Sequence, residues 1–304
     1  MASIEQEADT NKEQTTVRSP KKLLNDVDTD DNESDRDNDR DNDRDNGNDN
    51  ESSSDDEEFD FIESKWENMV ETGVVINWPG SSRALTLSTK LEEDNIAPLF
   101  NGTQWAGTRV WKAAVLALEY VWENHRSNKN SMLELGCGLG VPGMVWHLLH
   151  DEQTKVVLTD QPSLLTQLQE NVKDNFPASC EGESNANDNI IQAKPLSWSN
   201  EGLDALLEEC GDFDICLNCD CVYEPLYGRD SWEALADILG LLAKKSPSTL
   251  LVTSVERRNA DGLENFIERL EATGNVEPMK QVLRNADDKH HVIEIYVTKG
   301  KPRS

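Results

Sequence analysis

Short apolar segments alternate with amphipathic segments along the second half of the chain. From residue 131 onward, short apolar runs predict buried strands near 131–135, 155–159, 190–195, 213–219 and 249–254. The segments between them carry apolar residues at helical spacing and predict helices near 141–150, 163–175, 202–210, 231–245 and 261–272. This alternation favours a parallel sheet covered by helices on both faces, the Rossmann-like doubly wound α/β class.

Two segments depart from this alternation. Near the C-terminus, 276–283 and 291–298 have no long helix between them, and they predict an antiparallel hairpin with a turn at 284–289 at the sheet edge. Upstream, 73–78 and 83–87 flank a turn-forming segment and predict a second hairpin. A strong helix is predicted over 111–122. The five alternating strands and the two strands of the C-terminal hairpin give the main sheet an expected total of seven strands.

The N-terminal segment has a different composition. Residues 1–58 contain almost no large apolar side chains, so they cannot bury enough surface to offset chain entropy and predict a disordered acidic low-complexity tail. Residues 59–304 suit one domain, with an N-terminal extension at 59–100. The net charge of -30 argues against nucleic acid as a partner. The tail is interpreted as a solubilising segment or as an arm that recruits a basic partner.

The apolar runs and the cysteines indicate the expected cellular location of the protein and the state of its thiols. No run resembles a signal peptide or a membrane span, so no membrane association is expected and the cytoplasm or nucleus is predicted. The six cysteines then favour reduced thiols. Cys216, Cys219 and Cys221 have a spacing that suggests zinc, but a second ligand pair is missing, since the adjacent His290 and His291 project to opposite faces of a strand. No metal is predicted.

A glycine-rich segment follows the first predicted strand of the alternating region. The apolar run 132–135 leads into Gly136, Gly138 and Gly140, which permit a tight turn and close approach of a ligand to the backbone. A helix follows, and its free N–H groups would face that ligand. The dinucleotide pattern requires glycine where this chain has Val141, so a nucleotide-type cofactor other than NAD is favoured.

An acidic residue ends the second strand of this region. Asp160 follows the apolar run 155–159, at the position from which a carboxylate can bind ribose hydroxyls. The alternative is a structural role, in which Asp160 caps the helix that begins near Pro162. Together with the glycine loop, the acid favours a nucleotide site.

Over about residues 100–300, this layout resembles the class I S-adenosylmethionine-dependent methyltransferases. More specifically, it resembles the seven-β-strand protein lysine methyltransferases called methyltransferase family 16. Four segments carry the resemblance: 110–114 (VWKAA), 133–143 (LELGCGLGVPG), 158–160 (LTD) and 213–223 (FDICLNCDCVY). Residues 196–198 (LSW) and 254–258 (SVERR) resemble further segments of the family.

The resemblance implies S-adenosylmethionine as cofactor and a lysine of a cytosolic protein as substrate. It implies that the cofactor would contact Trp111, Glu134, Gly136, Cys137, Gly138, Asp160, Trp198 and Cys219. Glu134 would either face the cofactor's ammonium through water or buttress the glycine loop. Cys137 would serve packing, and Trp111 and Trp198 have burial in the core as their alternative role.

The catalytic residues implied by the resemblance are Asp220 and Tyr223. The carboxylate of Asp220 would orient the amine, and Tyr223 would shape the acceptor channel. The alternative for Asp220 is a helix cap before Glu224. Base-methylating enzymes commonly place two prolines where this chain has Cys221 and Val222, which makes a nucleic-acid substrate unexpected.

Two other functions stay open at this point. A small-molecule N-methyltransferase would keep the fold and cofactor but accept a nicotinamide-like amine. A non-catalytic scaffold would use the acidic tail to bind a partner, yet it has no evident need for the glycine loop together with Asp160, Asp220 and Tyr223.

Overall fold

The computed structural model describes residues 67–70, 73–89, 106–127, 129–177, 190–286 and 291–302. All of them belong to one compact unit, Glu58–Ser304. The predicted acidic tail at 1–58 lies outside the described residues, so its disorder and the boundary at residue 58 stay predictions. No helix in the described part of the chain is long and apolar enough to cross a membrane.

A small antiparallel sheet comes first in the chain. It consists of β1 (Glu67–Val70), β2 (Gly73–Ile76) and β3 (Leu85–Ser88), in that spatial order. Gly73 pairs with Ser88 and Ile76 pairs with Leu85, which confirms the predicted upstream hairpin. The strand β1 was not predicted from the sequence.

The main sheet has seven strands. They are β4 (Ser131–Leu135), β5 (Lys155–Asp160), β6 (Ile191–Pro195), β7 (Ile215–Cys219), β8 (Leu250–Arg257), β9 (Lys280–Ala286) and β10 (Val292–Thr298). Their spatial order is β6-β5-β4-β7-β8-β10-β9, with β4 to β8 parallel and β10 antiparallel to both of its neighbours. The predicted doubly wound α/β class with a C-terminal hairpin is confirmed. The strand order reverses at β4 and β7, where open α/β sheets bind ligands.

Helices connect these strands. They are α1 (Lys112–His125), α2 (Val141–Leu149), α3 (Pro162–Asn175), α4 (Asn200–Cys210), α5 (Glu224–Tyr227), α6 (Arg229–Lys245) and α7 (Leu263–Ala272). Except for the short helix α5, each matches a predicted helix to within a few residues. Alternate side chains of the parallel strands pack against different helices: Met132 and Val156 face the core formed with α1 to α3, whereas Leu133 and Val157 face the core formed with α4, α6 and α7.

The C-terminal hairpin has different strand and turn bounds from the predicted ones. The strand β9 begins at Lys280, and residues 284–286, predicted as turn, pair with β10. The prediction of a strand from 276 was therefore wrong at its start. Pro278 has no N–H to donate, and Val276 instead forms an isolated bridge with Gly300.

The small sheet is fastened to α3 by amide side chains. Asn171 accepts a hydrogen bond from Ser88 N at 2.7 Å and donates to Ser88 O at 3.1 Å. One helical turn later, Asn175 accepts from Thr86 N at 3.0 Å and donates to Thr86 O at 2.8 Å. Gln167 donates to Ser88 O at 3.0 Å as well. The helix α3 thus hydrogen-bonds to the edge of β3 as a neighbouring strand would.

Candidate active site

A cavity of about 400 Å³ lies at the carboxyl ends of the parallel strands. This volume suits a small-molecule ligand. All eight residues predicted to contact the cofactor line it: Trp111, Glu134, Gly136, Cys137, Gly138, Asp160, Trp198 and Cys219. Asp220 lines the same cavity. The chain therefore brings together, at one edge of the sheet, residues that are up to 109 positions apart (111 to 220).

The glycine loop between β4 and α2 needs its glycines for both conformation and space. Gly136 and Gly138 have φ values of 59° and 54°, which residues other than glycine rarely adopt. A Cβ on Gly136 would lie 2.7 Å from Cys221 Sγ and 3.3 Å from Trp198 Cζ2. A Cβ on Gly138 would lie 3.0 Å from Gly107 O. The loop backbone therefore forms a close-fitting wall of the cavity.

Asp160 joins this loop to the end of β5. Its Oδ2 accepts a hydrogen bond from Gly138 N at 2.8 Å, and its Oδ1 accepts one from Gln161 N at 2.7 Å. Gln161 is the N-cap residue of α3, so the side chain of Asp160 supports the helix start and the glycine loop at once. Burial raises the pKa of Asp160, although both N–H donors oppose that effect.

Glu134 is a buried carboxyl group in the middle of the sheet. Its side chain is on β4, and its Oε2 accepts a hydrogen bond from Gly143 N at 2.9 Å in the first turn of α2. This contact supports the structural alternative, in which Glu134 buttresses the segment after the loop, while the residue also lines the cavity. Burial is the main reason that the pKa of Glu134 rises to about 8.

Asp220 occupies a constrained turn after β7. Its φ is 54°, uncommon for a residue with a side chain, and its N–H donates to Ser254 O at 2.7 Å. The carboxylate accepts from Glu256 N at 3.1 Å and from two nitrogens of Arg258 at 3.1 and 2.8 Å. Burial raises the pKa of Asp220, and Arg258 opposes this. The N-cap of α5 is Tyr223, so the structure does not place Asp220 at a helix cap.

The two tyrosines near Asp220 have different surroundings. Tyr223 is buried, and its ring lies 4.9 Å from Arg258 Cζ; it is not among the described residues that line the cavity. Tyr227, one helical turn later, does line the cavity, and burial raises the pKa of its hydroxyl. The predicted role of Tyr223 in shaping the acceptor channel stays a prediction.

Cysteine side chains pack around the cavity. Burial raises the pKa of the thiols of Cys137, Cys219 and Cys221, which disfavours the thiolate that nucleophilic or metal-binding chemistry requires. Cys221 Sγ lies 3.5 Å from Leu135 O and 3.6 Å from Gly136 O. Cys216 is fully buried in the sheet core. These contacts suit packing roles.

Two residues with contacts at the site had no role assigned from the sequence. Arg258 belongs to the noted segment 254–258, but nothing in its spacing showed that it would pair with Asp220. Tyr227 could have been found as the second tyrosine at helical spacing from Tyr223. The positions of both residues at the site depend on how the turn after β7 packs against the end of β8.

Residues 92–273, more than half of the chain, match the family model described as lysine methyltransferase. The chain belongs to this family. Membership assigns S-adenosylmethionine as its cofactor.

Curated relatives are similar over part of the chain. The Secreted RxLR effector protein 48 of Plasmopara viticola is 39% identical over 130 residues, covering 42% of this chain and 64% of that protein. The EEF1A lysine methyltransferase 3 of Xenopus tropicalis is 31% identical over 160 residues, covering 52% and 62%. The Protein-lysine methyltransferase METTL21E of Mus musculus is 32% identical over 126 residues, covering 40% and 47%. The matches thus span between about half and two thirds of these relatives.

Solved structures match the chain at low similarity. Mitomycin 7-O-methyltransferase MmcR has a TM-score of 0.44 at 14% identity, covering 69% of this chain and 59% of that chain. An O-methyltransferase family protein from Burkholderia thailandensis has a TM-score of 0.43 at 12% identity, covering 71% and 65%. Similarity at this level says nothing about substrate.

Proposed function

We propose that the protein is an S-adenosylmethionine-dependent protein-lysine N-methyltransferase acting on a cytosolic protein. The observation that carries the proposal is that one cavity at the carboxyl edge of the sheet is lined by all the predicted cofactor residues together with Asp220. Two of the relatives above are named as lysine methyltransferases, and this supports lysine as the acceptor.

The cavity suits the cofactor in its volume and in its polar groups. S-adenosylmethionine supplies a transferable methyl group on a sulfonium. The positive-φ backbone at Gly136 and Gly138 permits a ligand to approach closely, and Asp160 supplies carboxylate oxygens for ribose hydroxyls. The half-buried ring of Trp198 offers an apolar surface for adenine.

The acceptor amine must be aligned and must have lost a proton before transfer. A lysine has an ordinary pKa of about 10.4 and reaches the enzyme as an ammonium. The carboxylate of Asp220 attracts and orients that ammonium, but the same attraction favours the charged form. Desolvation in the cavity opposes this, since burial disfavours a charged amine. Asp220 is therefore assigned to orientation and charge stabilisation, and proton loss to desolvation.

Replacing Asp220 by asparagine tests this assignment. The variant should bind S-adenosylmethionine within about threefold of the wild type, because the cofactor residues are untouched. Transfer of radiolabelled methyl groups to proteins of a lysate from cells lacking the enzyme should fall by roughly 10²–10³ fold, the range for the loss of one electrostatic stabiliser. Calorimetry measures the first quantity and scintillation counting of the labelled protein the second.

The matched control is Asp237→Asn, which removes an exposed carboxylate on α6 that pairs with Arg269. It should retain both cofactor binding and transfer. A wild-type protein that binds no S-adenosylmethionine would contradict the enzyme proposal. Labelling confined to small molecules would move the acceptor to a metabolite, and full activity of Asp220→Asn would remove Asp220 from the reaction.

A further inference from the structure

Arg258 contacts both residues of the predicted catalytic pair. We propose that Arg258 is a positioning residue, which holds the carboxylate of Asp220 beside the cavity and is itself held by the ring of Tyr223. The proposal rests on the proposed function, because it assumes that Asp220 meets the acceptor amine. It gives Tyr223 a role that does not require it to line the cavity.

The geometry around the guanidinium is well defined. Its Nη1 and Nη2 donate to the two oxygens of Asp220 at 3.1 and 2.8 Å, a bidentate arrangement that fixes the plane of the carboxylate. Its Nη2 also donates to Glu256 Oε2 at 2.8 Å. The Cζ atom lies 4.9 Å from the Tyr223 ring centre and 5.6 Å from that of Trp111. Aromatic rings at these distances attract a guanidinium.

Arg258 lies between the residue that precedes α1 and the turn that follows β7. Trp111 precedes α1 and lines the cavity, whereas Tyr223 is buried behind the turn that carries Asp220. Only 15% of the Arg258 side chain is exposed, so its ion pair is screened less than a surface pair. Arg258 therefore fixes the turn after β7 against the start of α1.

The charge of Arg258 matters because Asp220 is buried. Burial raises the pKa of the Asp220 carboxyl, and the opposite charge of Arg258 counteracts this. Other ionisable groups also surround the pair: Glu256 on β8, His291 against Glu256, Tyr223 at the N-cap of α5, Tyr227 on α5, and the thiols of Cys219 and Cys221. Arg258 is the cation that contacts the carboxylate of Asp220 directly.

Two substitutions separate charge from packing. Arg258→Met keeps an apolar stem between the rings but removes the charge, while Arg258→Lys keeps the charge and loses the bidentate geometry. In the full-length Arg258→Met protein, we expect the acid limb of the pH profile of methyl transfer to move to higher pH by about 1–3 units. Arg258→Lys should lie between that variant and the wild type. Calorimetry should show S-adenosylmethionine affinity within about threefold of the wild type for both.

Arg257→Met provides the matched control. Arg257 binds Asp261, Glu264 and Glu294 away from the cavity, and Glu294 retains Arg284 and Tyr296 as partners after the substitution. This control should lower the unfolding temperature and leave the acid limb unchanged. A merely structural role for Arg258 would give the same pattern as the control, and that result would overturn the inference.

The outcomes also separate this inference from the proposed function. A wild-type protein that binds no cofactor and labels no protein refutes the proposed function, whereas an active wild type with an unshifted Arg258→Met profile refutes only the positioning role. If Arg258→Met does not fold, Arg258→Lys carries the test, and a wild-type profile for that variant overturns the inference. In an Asp220→Asn background, removing Arg258 should cause no further loss of transfer if the pair acts as a unit.

Discussion

Replacing Glu134 by glutamine should stabilise the cofactor-free protein at neutral pH. The glutamine oxygen can accept the hydrogen bond that Gly143 N now donates to Glu134 Oε2 at 2.9 Å. The substitution is nearly isosteric, so the packing of β4 against α2 should change little. What it removes is an ionisable group whose charged form is disfavoured by burial.

The sign of the effect follows from the two pKa values. Below the ordinary value of 4.5, Glu134 is protonated in both the folded and the unfolded chain, and its ionisation does not affect stability. Between 4.5 and about 8, the unfolded chain releases the proton while the folded chain keeps it, so the free energy of unfolding falls as the pH rises. Above about 8 both states are ionised, and the loss is complete.

The expected size is large for a single side chain. At 1.36 kcal/mol per pKa unit, Glu134→Gln should be more stable than the wild type by about 1 kcal/mol near pH 5.5, about 3 kcal/mol at pH 7 and about 5 kcal/mol above pH 8. For a domain of this size, 3 kcal/mol corresponds to roughly 6–12 °C in unfolding temperature. The other titrating groups are present in both proteins, so the difference between them reports mainly the ionisation of Glu134.

Urea unfolding followed by circular dichroism, without cofactor, measures this difference at several pH values. The two proteins should give similar midpoints below pH 4.5, diverge as the pH rises to about 8, and change little relative to one another above that. Midpoints that shift in parallel across the range would show that Glu134 ionises normally in the folded chain. A variant that is less stable at every pH would show that the carboxylate makes a favourable contact that the hydrogen bond to Gly143 does not account for.

Two further predictions concern the glycine loop and the small sheet. Gly136→Ala should weaken S-adenosylmethionine binding and should destabilise the fold by about 1–3 kcal/mol more than the control Gly274→Ala. Both glycines have positive φ, but only a Cβ at position 136 would meet neighbouring atoms. Calorimetry measures binding and thermal unfolding measures stability, and equal results for the two variants would contradict the close fit at Gly136. Asn171→Leu should lower the unfolding free energy in urea by about 1–3 kcal/mol, since Ser88 N loses its acceptor, whereas the exposed Gln169→Leu on the same helix should be nearly neutral.

The sequence was sufficient to predict the parallel sheet and to pick out eight residues that line one cavity, although their contact with the cofactor stays a prediction. Strands buried on both faces give apolar runs without alternation, and each parallel strand ends at the same edge of the sheet. Residues that directly follow those runs, such as Gly136, Asp160 and Asp220, must therefore lie close together. Their location depends on strand ends, which composition and spacing specify well.

Other features depend on contacts between segments that the pattern does not relate. The pairing of Arg258 with Asp220 requires the turn after β7 to meet the end of β8, 38 residues later. The start of β9 depends on its register with β10, which Pro278 and the Val276 bridge alter. The strand β1 is short and lacks an alternating pattern. The periodicity of apolar residues predicts helices, strands and their buried faces. The contacts described in this paragraph depend instead on how segments distant in the sequence pair with one another.

The amide contacts between α3 and β3 also affect how the small sheet can associate. Exposed strand edges are templates for aggregation and strand exchange, and proteins commonly protect them. Residues four apart on a helix rise about 6 Å, close to the roughly 6.8 Å between alternate residues of a strand, so Asn171 and Asn175 match Ser88 and Thr86. A helix therefore satisfies the backbone groups of Thr86 and Ser88 on the outer side of β3, which closes this edge to β-augmentation by a further strand.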